Sequence, residues 1–126
     1  MLRKDFIMVQ IEELGKVIAQ IVSQRDTDAA RKIPQLVETV YASLKLDRDF
    51  LFDSTPEKLE AYLNGEDGEG LKRMEIAAKL LIEEAYLYPT RQAEIRQKAK
   101  GLLEYIQAHD NTFSLERISL LQGLSD

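Results

Sequence analysis

The stretch Ile7-Met-Val-Gln-Ile11-Glu-Glu-Leu14-Gly-Lys-Val-Ile18-Ala-Gln-Ile21 decides the fold class. Its isoleucines and leucine fall four, three, four and three residues apart, and only a helix gathers such positions into one stripe. Val17 and Val22 widen the stripe, while Glu12, Glu13, Lys16, Gln20 and Gln24 fall largely elsewhere. The spacing predicts a helix from about Arg3 to Arg25.

The same period continues outward. Thr27 or Asp28 offers an oxygen to the free amides of a second helix, whose core face is Ile33, Leu36, Val37, Val40, Tyr41 and Leu44. Pro34 either kinks that helix or starts it, because it lacks an N–H and its ring crowds the preceding turn. Leu46–Phe52 reads as irregular chain or a short helical turn, with Phe50, Leu51 and Phe52 plugging the core. Ser54 and Glu57 have the spacing of a capping box ahead of a short helix bearing Leu59, Tyr62 and Leu63. Three glycines between Asn64 and Gly70 mark a mobile surface loop. A stronger helix opens at Leu71, with Met74, Ala77, Ala78, Leu81, Ile82, Ala85 and Tyr88 on its face, and Pro89 stops it. Thr90 is placed to cap the next, whose face is Ala93, Ile95, Ala99, Leu102, Leu103 and Ile106. Ser114 is placed to cap a last short helix with Leu115, Ile118, Leu121 and Leu124.

No segment alternates with period two, so no sheet is expected. The expectation is an all-α single domain of five to six antiparallel helices: a hairpin over about 3–45, a middle segment over about 46–70, and a hairpin plus capping helix over about 71–124. A shift of 70 residues lays Gly15 on Ala85, Ala29 on Ala99, Ile11 on Leu81 and Ile33 on Leu103. In each copy a small residue on the first helix precedes one on the second by 14 positions. Small residues let helices approach closely, as in tetratricopeptide-like hairpin repeats. The standard tryptophan and helix-ending proline of those repeats are absent.

Leu2-Arg-Lys-Asp-Phe-Ile-Met, Gln10-Ile-Glu-Glu-Leu-Gly15, and Leu44-Lys-Leu-Asp47 followed by Phe50-Leu carry a resemblance. Together they resemble a bacterial family of small helical proteins of unknown function with a tetratricopeptide-like C-terminal half. The resemblance implies the same fold and brings no active site with it.

Composition narrows the function. With 17 basic and 22 acidic residues the net charge is −5, which disfavours nucleic acid as partner. No apolar run reaches the ~20 residues of a membrane span. Cysteine is absent, which fits a reducing compartment, and the expected location is the cytoplasm. Neither a cofactor nor a metal is expected. Counted from Asp47, the fifth, sixth and twelfth positions of a calcium loop hold Leu51, Phe52 and Lys58, so Asp47, Asp49 and Asp53 read as a helix-capping turn. Gly65, Gly68 and Gly70 follow a helix in acidic company, unlike a phosphate loop. Glu12-Glu13 and Glu83-Glu84 lack the histidines of a helical di-iron site and read as solvated faces. His109, the only histidine, reads as a helix C-terminal partner.

The expectation is a non-enzymatic protein-interaction or scaffold module, binding a protein, a peptide or a second copy of itself. Arg91, Arg96 and Lys100, with Tyr86 and Tyr88 at the turn, form the candidate partner face. The alternative is a small-molecule-binding or carboxylate-based catalytic domain using Glu83 and Glu84.

Overall fold

The computed structural model describes residues 2–125, with side chains from Val9 onward. These residues form seven α-helices and two 3-10 turns, and among them there is no strand. The helices are α1 (Leu2–Gln24), α2 (Ile33–Leu44), α3 (Arg48–Asp53), α4 (Pro56–Asn64), α5 (Gly70–Leu87), α6 (Gln92–His109) and α7 (Leu115–Ser125). The seventh helix, beyond the five or six expected, is α3, the segment read as irregular or a single turn. None of the helices is long and apolar enough to cross a membrane among the described residues.

Helix α5 is the axle. It packs on α1, α2, α4 and α6, and Met74, Ala77, Ala78, Leu80 and Leu81 along it are fully buried. Alanines on this helix let its neighbours come close from several sides. Around it, Leu14, Ile18 and Ile21 of α1 are buried as the stripe predicts. The Ile7 side chain lies outside the described residues. Val37, Val40, Leu51, Leu59, Ile95, Leu102 and Leu103 complete the same core.

Two helical hairpins are present. In the first, Gln10 of α1 donates to the Ser43 carbonyl of α2 at the end away from the turn (3.3 Å). In the second, Gln92 of α6 meets the Ala85 carbonyl of α5 (3.3 Å). At the far end of that hairpin Glu75 and Asp110 converge on Arg117 of α7.

Pro34 starts α2 rather than kinking it. A 3-10 turn over Asp28–Lys32 precedes it, capped by Thr27, whose Oγ1 accepts from the Ala29 N–H at 3.1 Å. This places Ala29 in the 3-10 turn and off the α-helix, so the small-residue pairing read from the 70-residue shift is realised only once. Ala85 and Ala99 are fully buried, whereas Gly15 is exposed and a Cβ there would meet nothing within 4 Å.

Several local expectations need correction. Thr55, not Ser54, caps α4, accepting from Lys58 N–H at 3.2 Å. Ser54 is buried and donates to the Phe50 carbonyl at 2.5 Å. Thr90 lies in the Pro89–Arg91 3-10 turn, and α6 begins with no side-chain cap. Ala93, Tyr62 and Tyr88 are exposed, because α4, the end of α5 and the start of α6 present those positions outward. Tyr62 keeps its ring against Phe50 and donates to the Lys45 carbonyl. Asp47 does cap α3, accepting from Phe50 N–H at 3.1 Å, and Ser114 caps α7 through Arg117 N–H at 3.1 Å.

The glycine-rich turn between α4 and α5 is tied down. Arg73 pairs with Asp67 at 2.6 Å and also donates to the Leu63 carbonyl. Gly70 sits where the two helices nearly touch: a Cβ there would lie 2.6 Å from the Glu60 carbonyl oxygen and 3.0 Å from the Asn64 Cα. Because backbone atoms set both limits, Gly70→Ala must push α4 off α5. A loss of about 1–3 kcal/mol in urea unfolding is expected, whereas an unchanged midpoint would mean the corner yields freely.

Candidate functional site

A groove of about 490 Å³ runs between α1, the first half of α5 and the start of α7. Its floor is apolar. Ile11 comes from the α1 stripe, Leu71 and Ile76 from α5, and Ile106 from the end of α6. Gly15, lacking a side chain, leaves one wall open. Charged groups at the entry to α5 and along it form the rim: Glu69 just before the helix, then Lys72, Glu75 and Lys79.

At one end of the groove stands Arg117, only 2 % exposed although charged. Its guanidinium donates to Gln107 Oε1 (2.8 Å), Glu75 Oε1 (2.9 Å), Asp110 Oδ2 (3.1 Å) and the Thr112 carbonyl (3.0 Å). Four acceptors from α5, α6 and the connecting loop satisfy the buried charge and fix α7 against the hairpin. The Asp110 carboxyl is held below the usual aspartate range by the Thr112 N–H, and further by Arg117 against the opposing effect of burial. Arg117 is not among the residues that the sequence pattern singles out. The signal available was its place between Leu115 and Ile118, on a helix with little amphipathic separation.

Phe113 and Leu115, at 71 % and 72 % exposed, bracket Ser114, which lines this groove. They are the most exposed large apolar side chains among the described residues.

A second constellation lies at the other end of α5. Glu83 and Glu84, read as a solvated face, are both buried. The cause is the packing of α1, α2 and α6 around α5, which leaves these two positions no solvated side. Both carboxylates have partners. Glu84 accepts from Tyr41 Oη and from Arg48 Nε at 3.2 Å, and Arg48 reaches on to Glu38 at 2.5 Å. The Tyr41 phenol is pushed far above its ordinary value by burial first and the hydrogen bond to Glu84 second. Glu83 faces Arg25 at 3.3 Å without hydrogen-bond alignment, and Arg25 stacks over the Tyr86 ring at 4.0 Å. Glu12 and Glu13 are exposed, away from this pair, with Glu13 bound to Lys16.

Burial raises the Glu83 carboxyl above the usual range, and Arg25 opposes it only in part. The folded chain therefore holds this proton more tightly than the unfolded chain, so ionised Glu83 detracts from stability at neutral pH. Stability from this group rises as pH falls through the raised value toward the ordinary one. Glu83→Gln, with Arg25 still stacked on Tyr86, is expected to melt higher than the parent at pH 7, the difference closing toward pH 4. A difference that grows on acidification would overturn the assignment.

The residues of the expected partner face are spread over three neighbourhoods. Tyr86 is exposed beneath Arg25, and Tyr88 is exposed at the end of α5. Arg91 pairs with Glu94 at 2.9 Å and lies 5.3 Å from the Phe52 ring centroid of α3. Arg96 turns the other way and donates to the Gly123 carbonyl of α7 at 2.7 Å. Lys100 follows Arg96 one turn on along α6 and is half-buried. Lys98, on the opposite side of α6, donates to the Ser54 carbonyl at 2.7 Å. His109 contacts the Tyr105 carbonyl through Nδ1 at 2.8 Å and stacks on the Tyr105 ring. Asp110 is engaged with Arg117, not with His109. Tyr105 donates to Glu60 at 2.5 Å, and its phenol is pushed up to about 12, chiefly by that bond.

Among the described residues no group of three or more His, Asp or Glu side chains is placed to hold a metal ion. Compared with protein-family models, with curated proteins and with solved structures, the chain finds no match.

Proposed function

We propose that this chain is a non-enzymatic interaction module, working in the cytoplasm, whose docking surface is the groove between α1, α5 and the start of α7. The observation that carries this reading is the pairing of an open, apolar-floored groove with two nearly bare apolar side chains at its edge. Large apolar groups left in water beside a concave surface are the usual mark of an interaction site. The two hairpins support a tetratricopeptide-like reading of the fold: α1 and α5 run alongside each other, as the first helices of stacked helical hairpins do.

The carboxylate-based catalytic or small-molecule reading is weaker. Glu84 already accepts from two side chains, and the groove lies at the far end of α5 from Glu83 and Glu84.

The test is a comparative pull-down from native extract with three baits: the parent chain, Gly15→Phe and Arg96→Glu/Lys100→Glu. Gly15→Phe sets a ring at the mouth of the groove from a position with open space around it. A stoichiometric partner captured by the parent and by the charge-reversal bait, but reduced at least tenfold by Gly15→Phe, is the expected result. Equal capture by Gly15→Phe would remove the groove, and loss only on charge reversal would move the site to α6.

A further inference from the structure

We propose that the occupant of this groove is a second copy of the same chain, docked about a two-fold axis so that Phe113 and Leu115 of each copy seat in the groove of the other. The proposal rests on the groove being a docking surface and adds the identity of what fills it.

Two features point to a self-complementary contact. The first is shape. A knob and a hole side by side on one face satisfy each other twice when a copy is rotated by a half-turn, which is the condition for an isologous dimer. Phe113 and Leu115 supply the knob; Ile11, Leu71, Ile76 and Ile106 floor the hole.

The second feature is charge. The groove-lining charges from the N-cap of α5 onward run acid, base, acid, base: Glu69, Lys72, Glu75, Lys79. Laid against its own reverse, this row sets Glu69 opposite Lys79 and Lys72 opposite Glu75. Each acid meets a base in both directions, as a two-fold axis requires. A parallel, in-register copy would set like on like at all four places and repel. Within one chain these groups pair along the helix, Lys72 with Glu69 at 2.9 Å and Lys79 with Glu75 at 3.4 Å. Lys79 also reaches Glu116 at 2.9 Å. Glu75 keeps Arg117 at 2.9 Å through Oε1, so a copy's Lys72 approaches its other oxygen, and Lys72, the most exposed member of the row, exchanges partners at small net cost. The surfaces involved are modest, so the expected dimer is reversible, with a dissociation constant on the order of tens of micromolar.

Sedimentation velocity on the full chain tests this, from about 5 µM to about 500 µM so as to bracket that constant. The parent is expected to move from 14.4 kDa toward twice that mass as concentration rises. Phe113→Ser/Leu115→Ser, at two exposed positions, should remain monomeric with unchanged helical circular dichroism. Glu69→Lys should weaken the dimer at least tenfold by setting lysine against Lys79, and adding Lys79→Glu should restore it. Three outcomes overturn the proposal: a parent that stays monomeric throughout, a dimer indifferent to the Phe113/Leu115 change, or a charge swap that fails to restore what Glu69→Lys removes. A monomeric parent that still loses a captured partner through Gly15→Phe would overturn only the second copy and leave the groove as a site for another protein.

Discussion

Arg117→Met is expected to destabilise the domain by about 2–4 kcal/mol and to release α7 from the hairpin beneath it. Methionine keeps the buried aliphatic stem but removes five N–H donors. Glu75, Asp110, Gln107 and the Thr112 carbonyl then lose a shared partner. Losing one member of a buried ion pair costs more than the pair contributes, because the remaining charge is left without compensation. Glu75 and Asp110 keep side-chain exposures of 20 % and 32 %, so water recovers part of the loss, and the lower half of the usual range applies. The apolar contacts of α7 offset little, since Leu120, Leu121 and Leu124 are only partly buried. Urea unfolding gives the magnitude; amide exchange gives the location, with protection lost first in Leu115–Ser125. Uniform loss across all helices would mean that α7 does not open on its own.

The same substitution has a pH signature. Asp110 is held below the ordinary aspartate value in the folded chain. Its contribution is therefore present above that ordinary value and is lost as pH falls through the lowered one. Arg117→Met removes one of the causes, so the variant should lose less stability than the parent as pH falls below the ordinary aspartate value.

The contrast between α1 and α7 shows what sequence patterning carries. The α1 stripe is legible because isoleucine and leucine at four-three spacing share one helical face, and Leu14, Ile18 and Ile21 on it reach the core. Pro34, Pro56 and Pro89 likewise mark starts and stops, since a missing N–H and a fixed ring act locally. Arg117 and Glu83–Glu84 were not legible in the same way. Whether a charge is solvated or buried depends on what packs over it, and that is a tertiary fact. A Glu-Glu pair on an exposed helix and the same pair on an axle helix have one spelling. The pairing of Gly15 with Ala29 failed for a related reason: it was read along the chain, while the 3-10 turn before Pro34 takes Ala29 off the α-helix and Gly15 is left exposed. The groove is tertiary too. Its floor comes from three helices, and only the exposed Phe113 and Leu115 beside Ser114 announce it, of which hydrophobicity had assigned Leu115 to the core face of α7.

Glu84→Leu is expected to cost about 3 kcal/mol, Tyr41→Phe about 1–2 kcal/mol, and the double variant about 1–2 kcal/mol less than their sum. The leucine leaves a buried phenol without its acceptor, and it leaves Arg48 with Glu38 alone. The phenylalanine leaves the carboxylate only Arg48. Neither loss recurs once both partners are gone, and that is the origin of the coupling. Arg48 lies over the Tyr41 ring at 4.4 Å, and phenylalanine keeps that ring face, so the cation–π contact is expected to largely cancel around the cycle. Two-state urea unfolding of the four proteins measures the coupling directly. Strong coupling places Glu84 in a fixed structural network joining α2, α3 and α5, with both oxygens committed to holding three helices together. A carboxylate serving as a general acid or base must instead exchange its proton freely with a substrate. Additive effects in the cycle, with little loss on Glu84→Leu, would free Glu84 from that network and move the weight back toward the carboxylate-based reading.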